Sequence, residues 1–357
     1  MQKVWGQWTA DGRYFLFTSV SSTQQYGLWA MREATDILHK PSREPVQLTT
    51  GPNPFYNAVP SPDGKKLFVI GAAKPRGELL RHDNKTRQWQ PAFSGISTQH
   101  LSFSKDGAWI AYADYPEPNL WRSRLDGSQR LQLTFQPMEA YSCRWSPDGK
   151  RIAFAARVQG RSWKIYTVSA DGGTPAPLMP GDAVERDPVW SPDGNSLAFM
   201  LLEGITTDQP GRSSIRILEL KTGKIIKLPE SDGKFSPRWS PDGGSIAAMS
   251  HPIEDTLWLF DLKSQNWQEL AKGMNFAYPS FSRDGKSVYV KATSQNEPGV
   301  YRIRIADRSL EQIANLKDIQ QATGAMGAWM GLDLDDSPMV LRSFISQEIY
   351  ALDWEAP

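Results

Sequence analysis

Short apolar runs with a period of two residues alternate with polar turns along the whole chain, a pattern that predicts β-strands rather than helices. The clearest instance is Arg144-Trp145-Ser146-Pro147-Asp148-Gly149-Lys150-Arg151-Ile152-Ala153-Phe154. An aromatic closes one run, Ser-Pro-Asp-Gly turns the chain, and Ile-Ala-Phe begins the next. Pro147 presets the first corner of a type I turn, Asp148 suits the second, and Gly149 can take the left-handed conformation that folds the next strand back. The segment predicts a β-hairpin.

The hairpin recurs. Copies occur at Trp8-Thr9-Ala10-Asp11-Gly12, Pro60-Ser61-Pro62-Asp63-Gly64, Phe103-Ser104-Lys105-Asp106-Gly107, Trp190-Ser191-Pro192-Asp193-Gly194, Trp239-Ser240-Pro241-Asp242-Gly243 and Phe281-Ser282-Arg283-Asp284-Gly285. From Asp11 through Asp63, Asp106, Asp148, Asp193 and Asp242 to Asp284 the steps are 52, 43, 42, 45, 49 and 42 residues. One hairpin per unit at this period is the signature of four-stranded propeller blades. In the Trp145 unit, 141–146 reads as the inner strand, 151–156 as the second, 164–169 as the third, and a short outer strand lies near Pro177-Leu178. An eighth, degenerate unit follows: Trp329 stands in the aromatic position, and Asp335-Asp336-Ser337 replaces the Asp-Gly turn. Asp336 takes the glycine's place there because Asp tolerates the left-handed conformation better than most residues.

The expected fold is therefore all-β: an eight-bladed β-propeller of four-stranded antiparallel blades, with seven blades as the alternative. A single domain would span 1–357, with blades near 5–50, 54–95, 98–135, 140–180, 186–230, 234–272, 276–314 and 325–357. Insertions at 31–45, where 34–38 could form a helical turn, and at 203–212 read as surface loops. The last unit has only three strands, and Met1-Gln2-Lys3-Val4 is short for supplying a fourth. Closure then needs a preceding segment, the favoured reading, or a true three-stranded blade.

Length alone would suggest two or three domains for 357 residues. The repeat overrides this, because one unit has too little apolar surface to fold alone. With 40 Lys and Arg against 39 Asp and Glu, the net charge of +1 provides no overall field to recruit nucleic acid. Cys143, the one cysteine, excludes an intrachain disulfide and a cysteine-only zinc site, and its place on the inner strand reads as core. No run approaches the ~18 apolar residues of a membrane helix.

Catalytic signatures are mostly absent. The chain has no Gly-x-Ser-x-Gly elbow, no His-Glu-x-x-His and no phosphate loop. His39, His82, His100 and His251 lie in different units without ligand spacing, and Asp333, Asp335 and Asp336 read as a degenerate turn rather than a calcium loop. No metal and no cofactor is expected. The motif aspartates serve turn amides, and the aromatics Trp8, Phe103, Trp145, Trp190, Trp239, Phe281 and Trp329 read as an inter-blade packing ring. Four residues before the aromatics, where the chain enters the inner strand, stand Tyr56, Gln99, Tyr141, Arg186 and Phe235, with Tyr278 one place displaced. These vary in chemistry and should crowd the axial mouth, which makes them the candidate ligand-binding residues.

The Trp-Ser-Pro-Asp-Gly-(Lys)-x-Ile-Ala-Phe pattern resembles the WD40-like propeller repeats of the TolB type, which also occur in prolyl-oligopeptidase-class peptidases. Three further stretches resemble a narrower group: Phe55-Tyr56-Asn57 with Lys65-Lys66-Leu67-Phe68-Val69-Ile70-Gly71, Leu120-Trp121-Arg122-Ser123-Arg124 with Leu131-Gln132-Leu133-Thr134-Phe135, and Glu348-Ile349-Tyr350-Ala351-Leu352-Asp353-Trp354. In that group of bacterial regulators, a winged-helix domain, often with a membrane helix, precedes the propeller. Neither element occurs in this sequence. The resemblance implies a non-enzymatic sensor or interaction module of a larger regulatory or envelope protein. It would bind a protein, peptide or small molecule at a propeller face, and this chain would make no direct nucleic acid contact. Its place would be the periplasmic side of the inner membrane if it belongs to a membrane-anchored regulator, and the cytoplasm otherwise. The alternative is a substrate-gating partner of a prolyl-oligopeptidase-like hydrolase.

Overall fold

The computed structural model describes residues 2–20, 26–32, 44–49, 55–72, 76–205, 210–294, 297–344 and 347–355. It is an all-β propeller: seven four-stranded antiparallel sheets and one of three strands, with a small additional hairpin at Thr323–Gly324 and Gly327–Ala328. The chain divides into two compact units, 1–76 with 344–357 and 77–343.

In the larger unit, five sheets follow the chain with innermost strands Thr98–Phe103, Met138–Trp145, Val184–Trp190, Lys234–Trp239 and Asn275–Phe281. The sixth is composite: Met330–Leu332 and Pro338–Phe344 are followed by Arg76–Asp83 and Gln88–Pro91. These six innermost strands touch in cyclic order, Met330–Leu332 meeting Thr98–Phe103, so the ring closes. The composite sheet is joined by charge. Arg81 pairs with Asp333 at 2.6 Å and also with Asp335, Arg342 pairs with Glu78, and Asn84 Nδ2 donates to Ser337 Oγ at 3.2 Å. The acidic cluster is thus Arg81's partner, while Asp336 has φ 64° and accepts the Arg283 amide at 3.0 Å.

The smaller unit contains a sheet formed by Gln2–Trp8, Tyr14–Val20, Tyr26–Arg32 and Val46–Gln47, and the three-stranded sheet of Phe55–Pro60, Lys66–Ala72 and Gln347–Asp353. Residues 54–95 and 325–357, read from the repeat as one blade each, are therefore divided between two sheets. The period-two pattern fixes which face a strand buries, but it leaves open which hairpin a third strand joins. The sequence left closure to a preceding segment or to a true three-stranded last blade; in the larger unit, residues 76–91 complete the composite sheet.

Two insertions fare differently. The proposed helical turn at 34–38 lies outside the described residues. The insertion at 203–212 is no separate loop at its ends, because Ser196–Ile205 and Pro210–Glu219 extend to pair Glu203 with Arg212 and Ile205 with Pro210. An ion pair of Arg216 with Glu203, 2.8 Å, supports the extension.

The motif turn is built alike in every full copy. Ser146 Oγ donates to Asp148 Oδ1 at 2.5 Å, Asp148 Oδ1 accepts the Lys150 amide at 3.0 Å, and Ser146 Oγ accepts the Arg151 amide at 2.9 Å. Gly149, at φ 70°, completes the corner. The hydrogen bond from Ser146, then that from Lys150, holds the Asp148 carboxyl below its ordinary range. Sheets pack through the motif aromatics: Trp145 is buried among Ala111, Leu120 and Leu133 of the preceding sheet, and Trp190 among Ala153 and Ile165. Trp8 departs from this role. It is 49% exposed and leans on Phe15. Among the described residues, no helix is long and apolar enough to cross a membrane.

Candidate functional site

Five of the six inner strands of the larger unit carry a bulge near their start, where the register with the second strand slips: between Gln99 and Ser102, Tyr141 and Arg144, Arg186 and Val189, Phe235 and Arg238, and Ala277 and Ser280. At each bulge one residue has a positive φ, namely His100 at 56°, Ser142 at 49°, Asp187 at 52°, Ser236 at 54° and Tyr278 at 52°. A bulge re-aims side chains. In the larger unit these five converge on one axial cavity of about 320 Å³. Met200, Met249 and the hairpin residues Ala325 and Met326 also line it.

Of the residues singled out in the sequence, Arg186, Phe235 and Tyr278 line this cavity. Tyr278 proves to be displaced by one place because it occupies the bulge itself, one residue after Ala277. Gln99 and Tyr141 stand behind the wall. Gln99 is buried, and its Nε2 donates to the Ala322 carbonyl at 3.2 Å. Gly324 leaves it room, since a Cβ there would collide with Gln99 Oε1. Tyr141 packs against the rings of His100 and Trp163, with centroids 6.0 and 5.1 Å apart. Tyr56 lies on the Phe55–Pro60 strand of the smaller unit, and its side chain is outside the described residues. Sequence reasoning missed His100, Ser142, Asp187 and Ser236, each one residue beyond a position it named, and also Arg238. The signal was present in Tyr278, the one copy where the aromatic had already moved to the bulge.

The cavity's electrostatics follow from burial. Desolvation, reinforced by Arg144 and Arg238, pushes the His100 imidazole down to about 3. Desolvation, then Arg144, pushes Arg238 down to about 10, which leaves it charged at neutral pH. Burial raises the Tyr278 phenol well above its ordinary value, and its hydroxyl donates to the Met326 carbonyl. Asp187 accepts from Ser142 Oγ at 3.1 Å. Cys143, close by on the inner strand, is a core residue whose thiol burial pushes up to about 12. No group of three or more His, Cys, Asp or Glu is placed to hold a metal ion among the described residues.

Residues 100–234 match the family model described as the TolB beta propeller domain. An uncharacterized protein of Agrobacterium fabrum is 27% identical over 174 residues, 48% of this chain and 58% of the relative. An uncharacterized peptidase of Bacillus subtilis, YuxL, is 27% identical over 110 residues, 29% of this chain and 17% of the peptidase. The match thus spans less than two thirds of either relative's length. Among solved structures, a TolB-like protein of Agrobacterium tumefaciens superposes with a TM-score of 0.61 at 19% identity, covering 76% of this chain and 99% of that one. The chain is a β-propeller whose residues 100–234 carry repeats of the TolB/PD40 type.

Proposed function

We propose that this chain is a non-enzymatic binding module whose axial cavity in the larger unit receives the ligand, and that it serves as the sensor or interaction part of a larger regulatory or envelope protein. The observation that carries this reading is the convergence of five bulges on one cavity. The blades repeat one backbone, while the side chains aimed inward differ in charge, size and polarity, as a recognition surface requires. The titratable groups also suit binding better than turnover. A base poised near neutral pH is what general catalysis needs, and His100, held near 3, is neutral and weakly basic there. The Cys143 thiol, near 12, is no nucleophile at that pH.

The test is a steric block. Ala277 lines the cavity, and Ala277→Phe fills it from a strand that otherwise stays the same. In a thermal-shift screen of neutral, anionic and cationic small molecules, some should stabilise the wild type and none the blocked variant. Equal shifts in both proteins would remove the cavity from the reading. Turnover of a peptide, ester or glycoside by the wild type that disappears in Ala277→Phe would make the chain an enzyme.

The likeness to a peptidase over 110 residues supports a second reading, a propeller that gates substrate for a separate hydrolase. It expects a neighbouring hydrolase gene whose product co-purifies with this chain. A product that neither binds the chain nor changes substrate preference in its presence would end it.

A further inference from the structure

The axial cavity and the residues just behind its wall hold more positive charge than the protein itself compensates. Arg238 is only 7% exposed and lines the cavity. Its Nη1 donates to the Pro237 carbonyl at 2.8 Å, and its Nε is buried without a hydrogen-bond partner. Arg144 repeats the arrangement two sheets away, donating from Nη1 to the Cys143 carbonyl at 2.9 Å. Among the described residues, neither guanidinium forms an ion pair. The cavity's Arg186 also has a buried, unpartnered Nε.

Two carboxylates stand against these three guanidiniums. Asp187 attracts Arg238 and Arg144 but hydrogen-bonds Ser142 instead. Glu254 is biased by burial toward its neutral form. His100 adds no charge, and His251, beside Phe235, is likewise pushed below its ordinary value by burial and by Arg186. With Arg144 behind the lining added to Arg186 and Arg238, at least one unit of positive charge is left over where an unpaired cation is strongly unfavourable. Part of the wall is apolar: Met200, Leu202, Met249 and Phe235.

We infer that the axial cavity binds a small organic carboxylate, its carboxyl group held by the guanidinium of Arg238 and its apolar body resting on Met200, Leu202 and Met249. The inference rests on the binding-module reading above and adds the class of ligand. Guanidinium and carboxylate match in geometry as well as charge. A bare small anion would leave the methionine wall unused. A cavity of about 320 Å³ is at the small-molecule end of ligand sites.

Calorimetric titration with hexanoate, hexanamide and acetate tests this on the wild-type chain. Hexanamide keeps the length and shape of hexanoate without the charge, and acetate keeps the charge without the body. Hexanoate should bind at least about tenfold more tightly than either. Arg238→Met should remove about tenfold of the hexanoate affinity and change that for hexanamide by less than about twofold. Equal affinities of hexanoate and hexanamide, or full hexanoate affinity in Arg238→Met, would overturn the anion assignment. Equal affinities of hexanoate and acetate would overturn the apolar subsite. The wild-type comparisons decide these points even if the variant does not fold. A neutral or cationic compound that binds, is excluded by Ala277→Phe and outcompetes hexanoate would overturn the ligand class while leaving the binding-module reading intact. Binding unaffected by Ala277→Phe would defeat that reading itself.

Discussion

The two ends of each inner strand obey opposite rules. At the turn end, the same three hydrogen bonds recur: Ser104 with Asp106, Ser191 with Asp193 and Ser240 with Asp242 repeat what Ser146 does with Asp148, all at 2.5 Å. At the bulge end, the same positive φ recurs, but the residues are His100, Ser142, Asp187, Ser236 and Tyr278. Sequence is repeated where a side chain serves its own backbone. It varies where the backbone merely aims the side chain at the cavity. A repeat protein can therefore keep its scaffold and change its ligand by substitution at the bulges alone.

The largest effect belongs to the turn end. Trp145 is 8% exposed and fills the space between two sheets, so Trp145→Ala should cost about 3–5 kcal/mol in denaturant unfolding. Trp8 occupies the same motif position but is 49% exposed, and Trp8→Ala should cost less than about 1 kcal/mol. Comparable losses would mean that the motif position, rather than burial, sets the contribution. Hexanoate affinity of folded Trp145→Ala should stay within about twofold of wild type.

At the bulge end the leading effect is one of pH. His100 titrates near 6.5 when unfolded and near 3 when folded, its ring facing Tyr141 and Tyr278 and the charges of Arg144 and Arg238. Between these values the unfolded chain binds one more proton, so stability rises with pH. The contribution is complete above about 6.5 and is lost as pH falls through the window, at about 1.4 kcal/mol per unit. His100→Asn keeps a residue that tolerates φ 56° and removes the titration. Its unfolding free energy between pH 6 and 4 should slope less steeply than that of wild type by about this amount. The motif aspartates, held below their ordinary range in both proteins, supply the remaining slope. Identical slopes would show that His100 is already protonated in the fold.

How much of this was legible in the sequence follows the same division. The hairpins, the number of repeats and the packing of Trp145 and Trp190 could be read, because local turn chemistry and period-two burial fix them. Even Asp336 in the left-handed position was readable from its place in the degenerate turn. The pairing of Arg76–Asp83 with Pro338–Phe344 was not, because strand partnership between distant repeats depends on contacts such as Arg81 with Asp333 that no local pattern encodes. The cavity was read in part: Arg186, Phe235 and Tyr278 line it, while His100, Ser142, Asp187 and Ser236 lie one residue beyond the positions named. Alternation predicts which face a residue occupies, and a bulge breaks alternation at the very point where Ser142 and Asp187 turn inward.

The smallest effects give the sharpest contrast, since one inner strand and its turn carry serines at both ends. Ser146 accepts the Arg151 amide and donates to Asp148, so Ser146→Ala strips the turn of two bonds and should cost about 1–2 kcal/mol. Hexanoate affinity should not change, because the turn lies outside the cavity lining. Ser142 has its side-chain bond to Asp187 alone, so Ser142→Ala should cost less than about 0.5 kcal/mol. It should nevertheless weaken hexanoate by about threefold, because Asp187, released from Ser142, is left to compete for Arg238. Calorimetry and denaturant unfolding on the two variants together separate the two ends: stability should respond to one serine and affinity to the other. If both quantities moved in both variants, turn and bulge would form a single coupled structure, and the scaffold could not be kept while the ligand changes.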